Sequence, residues 1–450
     1  MSRILAALLL ALPLAARAGE PLTLDAALSE AERASPDLAQ ARARLDQARA
    51  AVARARAAHL PQLAVAGTYT RNSEAADLQL PVGFAVRDLG APTSGAGLPG
   101  QPTNLAAVPN QVVSATLQKR DQLGAQVELS QAILALPLWY QIQAAGAGAR
   151  ASEATLEATR RELRFGVAQA YYAAAAAQQH VEIQERQLAV ARAHERDAAV
   201  QVDAGVQPRI ALLRAGMESV QAEQDLVRAQ GVREAAWSNL AALLGRRESS
   251  EFLLEQPLAP AVPAQLAGLE DEAVRRRPEI AAASAAADAA AASGRAATAR
   301  YFPTLGAFGQ ARWANVAGFT GKEESWAAGL SLSWTLFDGG AREADRRDAS
   351  ARLAEAEAAR ASASTRARDE VRRAAVELRS ARANLEKAQQ RLSLARETQR
   401  LVEVSFRAGQ ATSLEATDAN AGLATAELAT VNERLAADLS ALRLLRAAGL

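Results

Sequence analysis

The sequence predicts a mainly α fold with a small β part, built as a duplicated long-helix coiled coil with four short strands. Three observations carry this prediction. The stretch from Ala341 to Ala408 runs 68 residues without Gly or Pro and is dense in Ala, Glu, Arg and Leu, so nothing in it stops a helix once started. Within it Val371, Leu378, Leu385 and Leu392 recur every seven residues, with Ala374, Ala381, Ala388 and Ala395 three residues after each, which is a left-handed coiled-coil seam alternating large and small side chains. The same seam stands 204 residues earlier, at Val167, Ala174, Val181 and Leu188 with Ala170, Ala177, Gln184 and Ala191. The third observation is a set of short alternating segments, taken up below in their order along the chain.

A helix of this length spans roughly 100 Å at about 1.5 Å per residue and cannot bury itself in one compact domain. Ala at every second seam position brings helix axes close, as a thin wall requires. Composition agrees. Half of the 450 residues are hydrophobic but only 4% are aromatic, as in helical bundles. With 51 basic and 50 acidic residues there is no basic excess to steer the chain onto nucleic acid. The absence of Cys excludes disulfides, thiol chemistry and lipid attachment to an N-terminal Cys.

Taken in order, residues 1–18 read as a secretory signal: Arg3, an apolar run from Ile4 to Ala16, and the small-x-small site Ala16-Arg17-Ala18, with the mature chain starting at Gly19. No later stretch has the ~20 apolar residues needed for a membrane-spanning helix. Leu22 to Leu60 predicts a helix starting near Thr23 and Asp25, kinked at Pro36 and stopped at Pro61. Leu38, Leu45 and Val52, with Ala41, Ala48 and Ala55, give it the same seam. Leu63 to Arg71 is a candidate strand. Residues 72–122 contain five prolines and show no sustained period, which predicts a long exposed, mobile loop. Leu123 to Leu134 alternates and is the second strand; Pro137, Gly146 and Gly148 then lead into the first long helix, which runs to Ala204. Gly205 and Pro208 break it, and a shorter helix follows from Ile210 to Leu244.

Residues 246–264, with Pro257, Pro260 and Pro263, read as a linker between halves. Leu266 to Phe302 is helical in composition; Thr304 to Trp313 and Ser325 to Phe337 are the third and fourth strands, joined by a short loop, 314–324. Leu330, Leu332, Trp334 and Leu336 alternate with Ser331, Ser333 and Thr335 in the last of these. Residues 19–245 and 265–450 are thus two repeats of helix, strand pair, long helix and short helix. Strands of ten alternating residues suit an outer-membrane barrel as well as a small soluble sheet capping a bundle. Trp326, Trp334, Trp313 and Tyr69 resemble an interfacial aromatic girdle, and four strands alone cannot close a barrel that leaves a channel.

The duplicated motifs carry a family resemblance. "SPDL" (Ser35 to Leu38) leading to Pro61 is repeated as "RPEI" (Arg277 to Ile280) leading to Pro303; "LFDGG" (Leu336 to Gly340) precedes the second long helix; "DAGVQPRIALLRA" (Asp203 to Ala215) pairs with "RAGQATSLEATDA" (Arg407 to Ala419). Over essentially its whole mature length the chain resembles TolC-like outer-membrane efflux proteins. The resemblance implies a homotrimer with a shared twelve-stranded transmembrane β-barrel in the outer membrane of a Gram-negative cell, continued by a helical tunnel in the periplasm. It implies the job of exit duct in a tripartite efflux or type I export system, with a periplasmic adaptor and, through it, an inner-membrane pump as partners. The resemblance places the adaptor-contacting tip at Gly205, Val206, Arg209, Gly409 and Gln410, and an acidic ring at the tunnel mouth at Glu415 and Asp418. Ala211 stands where the family often has an acid that helps lock the closed tip.

The alternatives to this reading are a periplasmic adaptor and a structural coiled-coil protein of the envelope. His59, His180 and His194 lie too far apart to share a metal. No phosphate-cradling loop, no metal-spaced cluster and no nucleophile with a base are present, so neither a cofactor nor enzymatic activity is expected.

Overall fold

A computed structural model describes residues 22–82, 86–88, 105–107, 111–246, 254–263, 268–316, 322–408 and 410–450. The signal segment and Gly409 lie outside the described residues. Two compact units are present: one comprises Met1–Ala48, Ala147–Asp288 and Ala354–Leu450, the other Arg49–Gly146 and Ala289–Leu353.

In the first unit the duplication extends to the core. One cluster joins Ala27 and Ala31 of α1 (Leu24–Ala34), Val167, Ala170 and Ala174 of α3 (Leu136–Asp203), and Trp237, Leu240 and Leu244 at the end of α4 (Arg209–Leu243). The other joins Leu269 and Ala273 of α5 (Leu269–Arg276), Val371, Ala374 and Leu378 of α7 (Ala341–Arg407), and Ala441, Leu444 and Ala448 of α8 (Ser413–Ala448). These are the same positions at the two repeat offsets, so one packing solution was used twice. The buried seam residues are those of the heptads: Val167, Ala170, Ala174, Ala177, Val181, Leu188 and Ala191 in α3, and Val371, Ala374, Leu378, Ala381 and Ala388 in α7.

Sequence and structure part company at both repeats' first helix. Leu22 to Leu60 is two helices, α1 and α2 (Pro36–Ala57), and Leu266 to Phe302 is likewise α5 and α6 (Pro278–Ala299). Thr23 caps α1, accepting from the Ala26 amide at 3.2 Å. Each break falls on the residue before proline, which proline drives out of the helical region: Ser35 and Arg277 are both extended. Proline then opens the next helix, where its missing N–H costs nothing. Ser35 accepts from the Leu38 amide at 3.3 Å, whereas the buried Arg277 donates to Glu370 at 2.5 Å and to Glu279 at 3.4 Å. The linker is more than a spacer. Leu254 bridges to Leu22 and is buried in the first core, and the Tyr171 hydroxyl lies 2.7 Å from both the Leu22 and Glu255 carbonyl oxygens. Burial pushes that phenol up to about 12.

The second unit holds a four-stranded antiparallel sheet in the order β1 (Gln62–Arg71), β6 (Asp121–Leu134), β7 (Thr304–Ala314), β8 (Glu324–Ser333). Strand β8 stops at Ser333, so Trp334 to Phe337 lie beyond it, four residues short of the predicted end. The supposed loop 72–122 contains a hairpin extension: β2 (Ala76–Val82) pairs with β5 (Gln111–Gln118), and β3 (Val86–Asp88) with β4 (Leu105–Ala107). The rest of that segment, like much of 246–264, lies outside the described residues. Helix α3 begins at Leu136, ahead of the glycines that were expected to precede it.

Register makes the sheet two-faced. Val65, Val127, Ala311 and Trp326 form one cross-strand row, and Leu63, Leu129, Gly309 and Ala328 another on the same face. On the opposite face Ala66, Gln126, Arg312 and Ser325 align, as do Ala64, Glu128, Gln310 and Ala327. Among the described residues nothing in the unit covers the apolar face: Val65 is 74% and Trp326 79% exposed. On the polar face Phe308 lies over Gly329, where an added Cβ would meet its ring at 3.1 Å. Among the described residues no helix is long and apolar enough to cross a membrane.

Candidate functional site

Two features of the chain need a partner, the turns that end the long helices and the uncovered sheet. The turns are built alike. After α3 the chain reverses at Gly205, whose φ of +70° is a left-handed conformation that glycine adopts without a Cβ clash. The amides of Val206 and Gln207 then both donate to the Gln201 carbonyl, at 2.9 and 3.2 Å. After α7 the amides of Gln410 and Ala411 both donate to the Ser405 carbonyl, at 2.8 and 3.2 Å. The repeat therefore holds down to individual hydrogen bonds.

The helices leaving the turns differ. Thr412 caps α8 in a reciprocal box: its hydroxyl accepts from the Glu415 amide at 3.3 Å, while Glu415 Oε2 accepts from the Thr412 amide at 2.7 Å. Those hydrogen bonds hold the Glu415 carboxyl below the usual range. Helix α4 has no such cap. Pro208 occupies its N-cap with no side-chain bond, Arg209 is its first residue, and Ala211 stands where α8 has Glu415. One turn on, Arg214 occupies the repeat position of Asp418, so the two helices carry opposite charges there. Val206, Arg209, Gln410, Glu415 and Asp418 are all exposed.

Between the two helix pairs lies a cavity of about 330 Å³, lined by His194 and Asp197 of α3, Arg214 and Glu218 of α4, Phe406 of α7 and Leu414 of α8, among others. Thr417 Oγ1 donates to Glu218 Oε2 at 3.2 Å across it. Of the expected site residues, the structure brings Glu415 and Asp418 onto one helix start and Gly205, Val206 and Arg209 onto one turn. Sequence reading missed Glu218 and Thr417, which only the fold brings together. It also missed Arg214, although the repeat offset that pairs it with Asp418 was available. Of the histidines, His194 lines the cavity; His180 is half-buried, and burial pulls its pKa down against a bond to Asn432.

The sheet supplies the other half of the problem. Ten-residue antiparallel strands with one apolar and one polar face are the unit of a transmembrane barrel, which must close so that no edge meets lipid. The two edges here, β1 and β8, have no partner among the described residues. A match to the family described as Outer membrane efflux protein extends over residues 27–246 and 269–450, both repeats. The chain belongs to the outer membrane efflux protein family. Members of this family are outer-membrane efflux channels of tripartite systems, and this chain is one of them. Solved structures give the same fold. A membrane protein from Pseudomonas aeruginosa is 23% identical with a TM-score of 0.72, covering 95% of this chain and 93% of its own. The outer membrane protein VceC of Vibrio cholerae is 22% identical with a TM-score of 0.72, over 95% and 96%. The MtrE outer membrane channel of Neisseria gonorrhoeae, solved in its open state, is 22% identical with a TM-score of 0.70, over 95% and 88%. Comparison with curated proteins yields no match.

Efflux channels of this family generally trimerise and work with an adaptor and an inner-membrane pump. Nothing in the fold favours the adaptor alternative, because the strands form a duplicated two-faced sheet and no separate β domain accompanies the helices among the described residues.

Proposed function

We propose that this efflux channel is a homotrimer whose three sheets close one twelve-stranded barrel in the outer membrane, with the helices in the periplasm. The observation that supports this reading is the sheet: its apolar face is exposed and its two edges are open, and a barrel shared among copies resolves both at once. In such a barrel the polar rows, with Glu128, Gln126 and Arg312, would line water, and Val65, Leu129 and Trp326 would face lipid.

The helical turns then form the periplasmic tip. Gly205, Val206, Arg209, Gly409 and Gln410 are its adaptor-contacting residues, and three copies of Asp418, with Glu415 beside it, ring the mouth and favour cations. The channel is passive: a pump in the inner membrane supplies the energy, and the tip opens by separating its helix pairs. The test is single-channel recording of the purified trimer in a planar bilayer. Discrete cation-preferring events are expected. A well-folded trimer that never inserts would sink the barrel.

A further inference from the structure

The cavity between the helix pairs, about 330 Å³, is of the size that holds a small molecule, and its wall comes from all four helices at the turns, α3, α4, α7 and α8. By their places along the helices, its lining residues divide into two ends. Beside the turns the wall is apolar, with Phe406, Ile210, Pro208 and Leu414; about one to two helical turns further along stand His194, Asp197, Arg214, Glu218 and Thr417. The polar end is largely unspent. Glu218 Oε2 accepts from Thr417, but Glu218 Oε1 and the side chains of His194, Asp197 and Arg214 have no hydrogen-bond or ion partner among the described residues. Asp197 and Arg214 are exposed, so the cavity is reached from water, while Phe406, Glu218 and Thr417 are half-buried and Ala416 closes its floor. An apolar wall with a few convergent polar groups left free is the form of a ligand site.

Resting on the reading of the turns as a tip that opens by separating its helix pairs, we propose that this cavity binds a small organic amine, an ammonium group on an apolar or aromatic body, and that its occupant braces the tip shut. The lining selects the class. Two carboxylates, Asp197 and Glu218, stand against one guanidinium, Arg214, so the polar end favours a cation. Glu218 Oε1 and Asp197 are free to accept from an ammonium group without disturbing the bond that Thr417 donates to Glu218 Oε2. Phe406, Ile210 and Leu414 offer the body an apolar wall, and the Phe406 ring offers a face to stack on or to hold positive charge. Arg214 sets the opposing pull, because it repels a cation beside it and attracts an anion. The brace follows from where the site lies. A ligand shifts an equilibrium only by its difference in affinity for the two states. An occupant touching both helix pairs keeps all its contacts only while the pairs stay together, so it opposes their separation and adds to the restraint of the Thr417 bond.

The probe is phenethylammonium, with hydrocinnamate as an anion of similar shape. Binding is read on the purified protein in detergent through the fluorine resonance of para-fluorophenylalanine placed at position 406, a measurement that does not depend on a barrel. Gating is read as open probability in planar bilayers. Phenethylammonium should move the 406 resonance saturably, at concentrations several-fold below those of hydrocinnamate. Glu218→Gln, which keeps an acceptor for Thr417 and removes the charge, should weaken that binding several-fold. Over the same concentrations the amine should lower open probability in wild type and in Asp418→Asn but not in Glu218→Gln, which separates bracing from block at the acidic mouth. A 406 resonance that never moves, or that hydrocinnamate moves at equal or lower concentration, would overturn the amine site. Binding with open probability unchanged or raised would overturn the brace and leave the site standing. Protein that binds the amine yet never forms a channel would overturn the channel reading and the brace with it, and again leave the site.

Discussion

Thr417 of α8 donates a hydrogen bond to the Glu218 carboxylate of α4 at 3.2 Å, tying the two helices that leave the turns. If the tip opens by separating its helix pairs, this bond is broken on opening. A hydrogen bond to a half-exposed carboxylate contributes about 1 kcal/mol net, which corresponds to roughly a fivefold change in the ratio of open to closed tips. Thr417→Val should therefore raise open probability about fivefold in bilayer recordings, and Thr417→Ser, which keeps the hydroxyl, should not. Equal effects of the two would show that the bond does not restrain opening.

If Glu415 and Asp418 ring the tunnel mouth as proposed, their effects should separate. Glu415 is engaged by the Thr412 amide and hydroxyl, at 2.7 and 3.0 Å, whereas Asp418 is exposed one turn on. Asp418→Asn should abolish cation preference in reversal-potential measurements. Glu415→Gln should leave most of that preference and instead weaken the start of α8, read as faster amide exchange over 413–418. The cap also predicts a pH window. Because the folded-state pKa of Glu415 lies below its ordinary 4.5, the cap's contribution is fully present above 4.5 and is lost as pH falls through the depressed folded value. Wild type should approach the exchange rates of Glu415→Gln only below that range.

Much of this architecture was legible because burial imposes a period. The seams at Val371 and Val167, the cap at Thr23 and the reversal at Gly205 all follow from side chains whose environment the sequence pattern encodes. The hairpin of β2 and β5 was not legible. Ala76, Leu78, Leu80 and Val82 do alternate with Asp77, Gln79 and Pro81, but the run is only seven residues long, contains Pro81 and sits among Gly, Ser and Pro, so its breakers outweighed its period. The start of α3 was missed for a different reason: Pro137 falls in the first turn, where its missing N–H is not needed, and an added Cβ at Gly146 or Gly148 meets nothing within 4 Å, so these glycines interrupt nothing. The Glu218–Thr417 pair joins residues 199 apart in sequence and has no local signal at all.

Gly205 isolates backbone from packing. An added Cβ there meets nothing within 4 Å, so any penalty for Gly205→Ala comes from φ of +70° alone. That conformation costs a non-glycine residue about 1 kcal/mol, and less for Asn. Gly205→Ala should loosen the turn by about that amount, with Gly205→Asn intermediate, measured by amide exchange over 200–210. An alanine variant that exchanges like wild type would mean that the turn relaxes to another conformation at no cost.

Asp438 predicts a stabilising substitution. It lines a cavity of about 280 Å³ with Tyr172, Leu258 and Arg434, and burial raises its carboxyl above the ordinary 3.8 while Arg434 pulls it back only in part. With a raised folded-state pKa the native state holds its proton more tightly than the unfolded chain does, so stability falls as pH rises from 3.8 through the folded value. At neutral pH the charged carboxylate is a net cost to the fold. Asp438→Asn keeps the shape and removes the charge, so its melting temperature at pH 7 should exceed that of wild type by about 1–3 °C. The difference should shrink to nothing below pH 3.8, where the wild-type carboxyl is protonated in both states. A variant that melts below wild type at pH 7 would mean that the carboxylate gains more from Arg434 than it loses by burial.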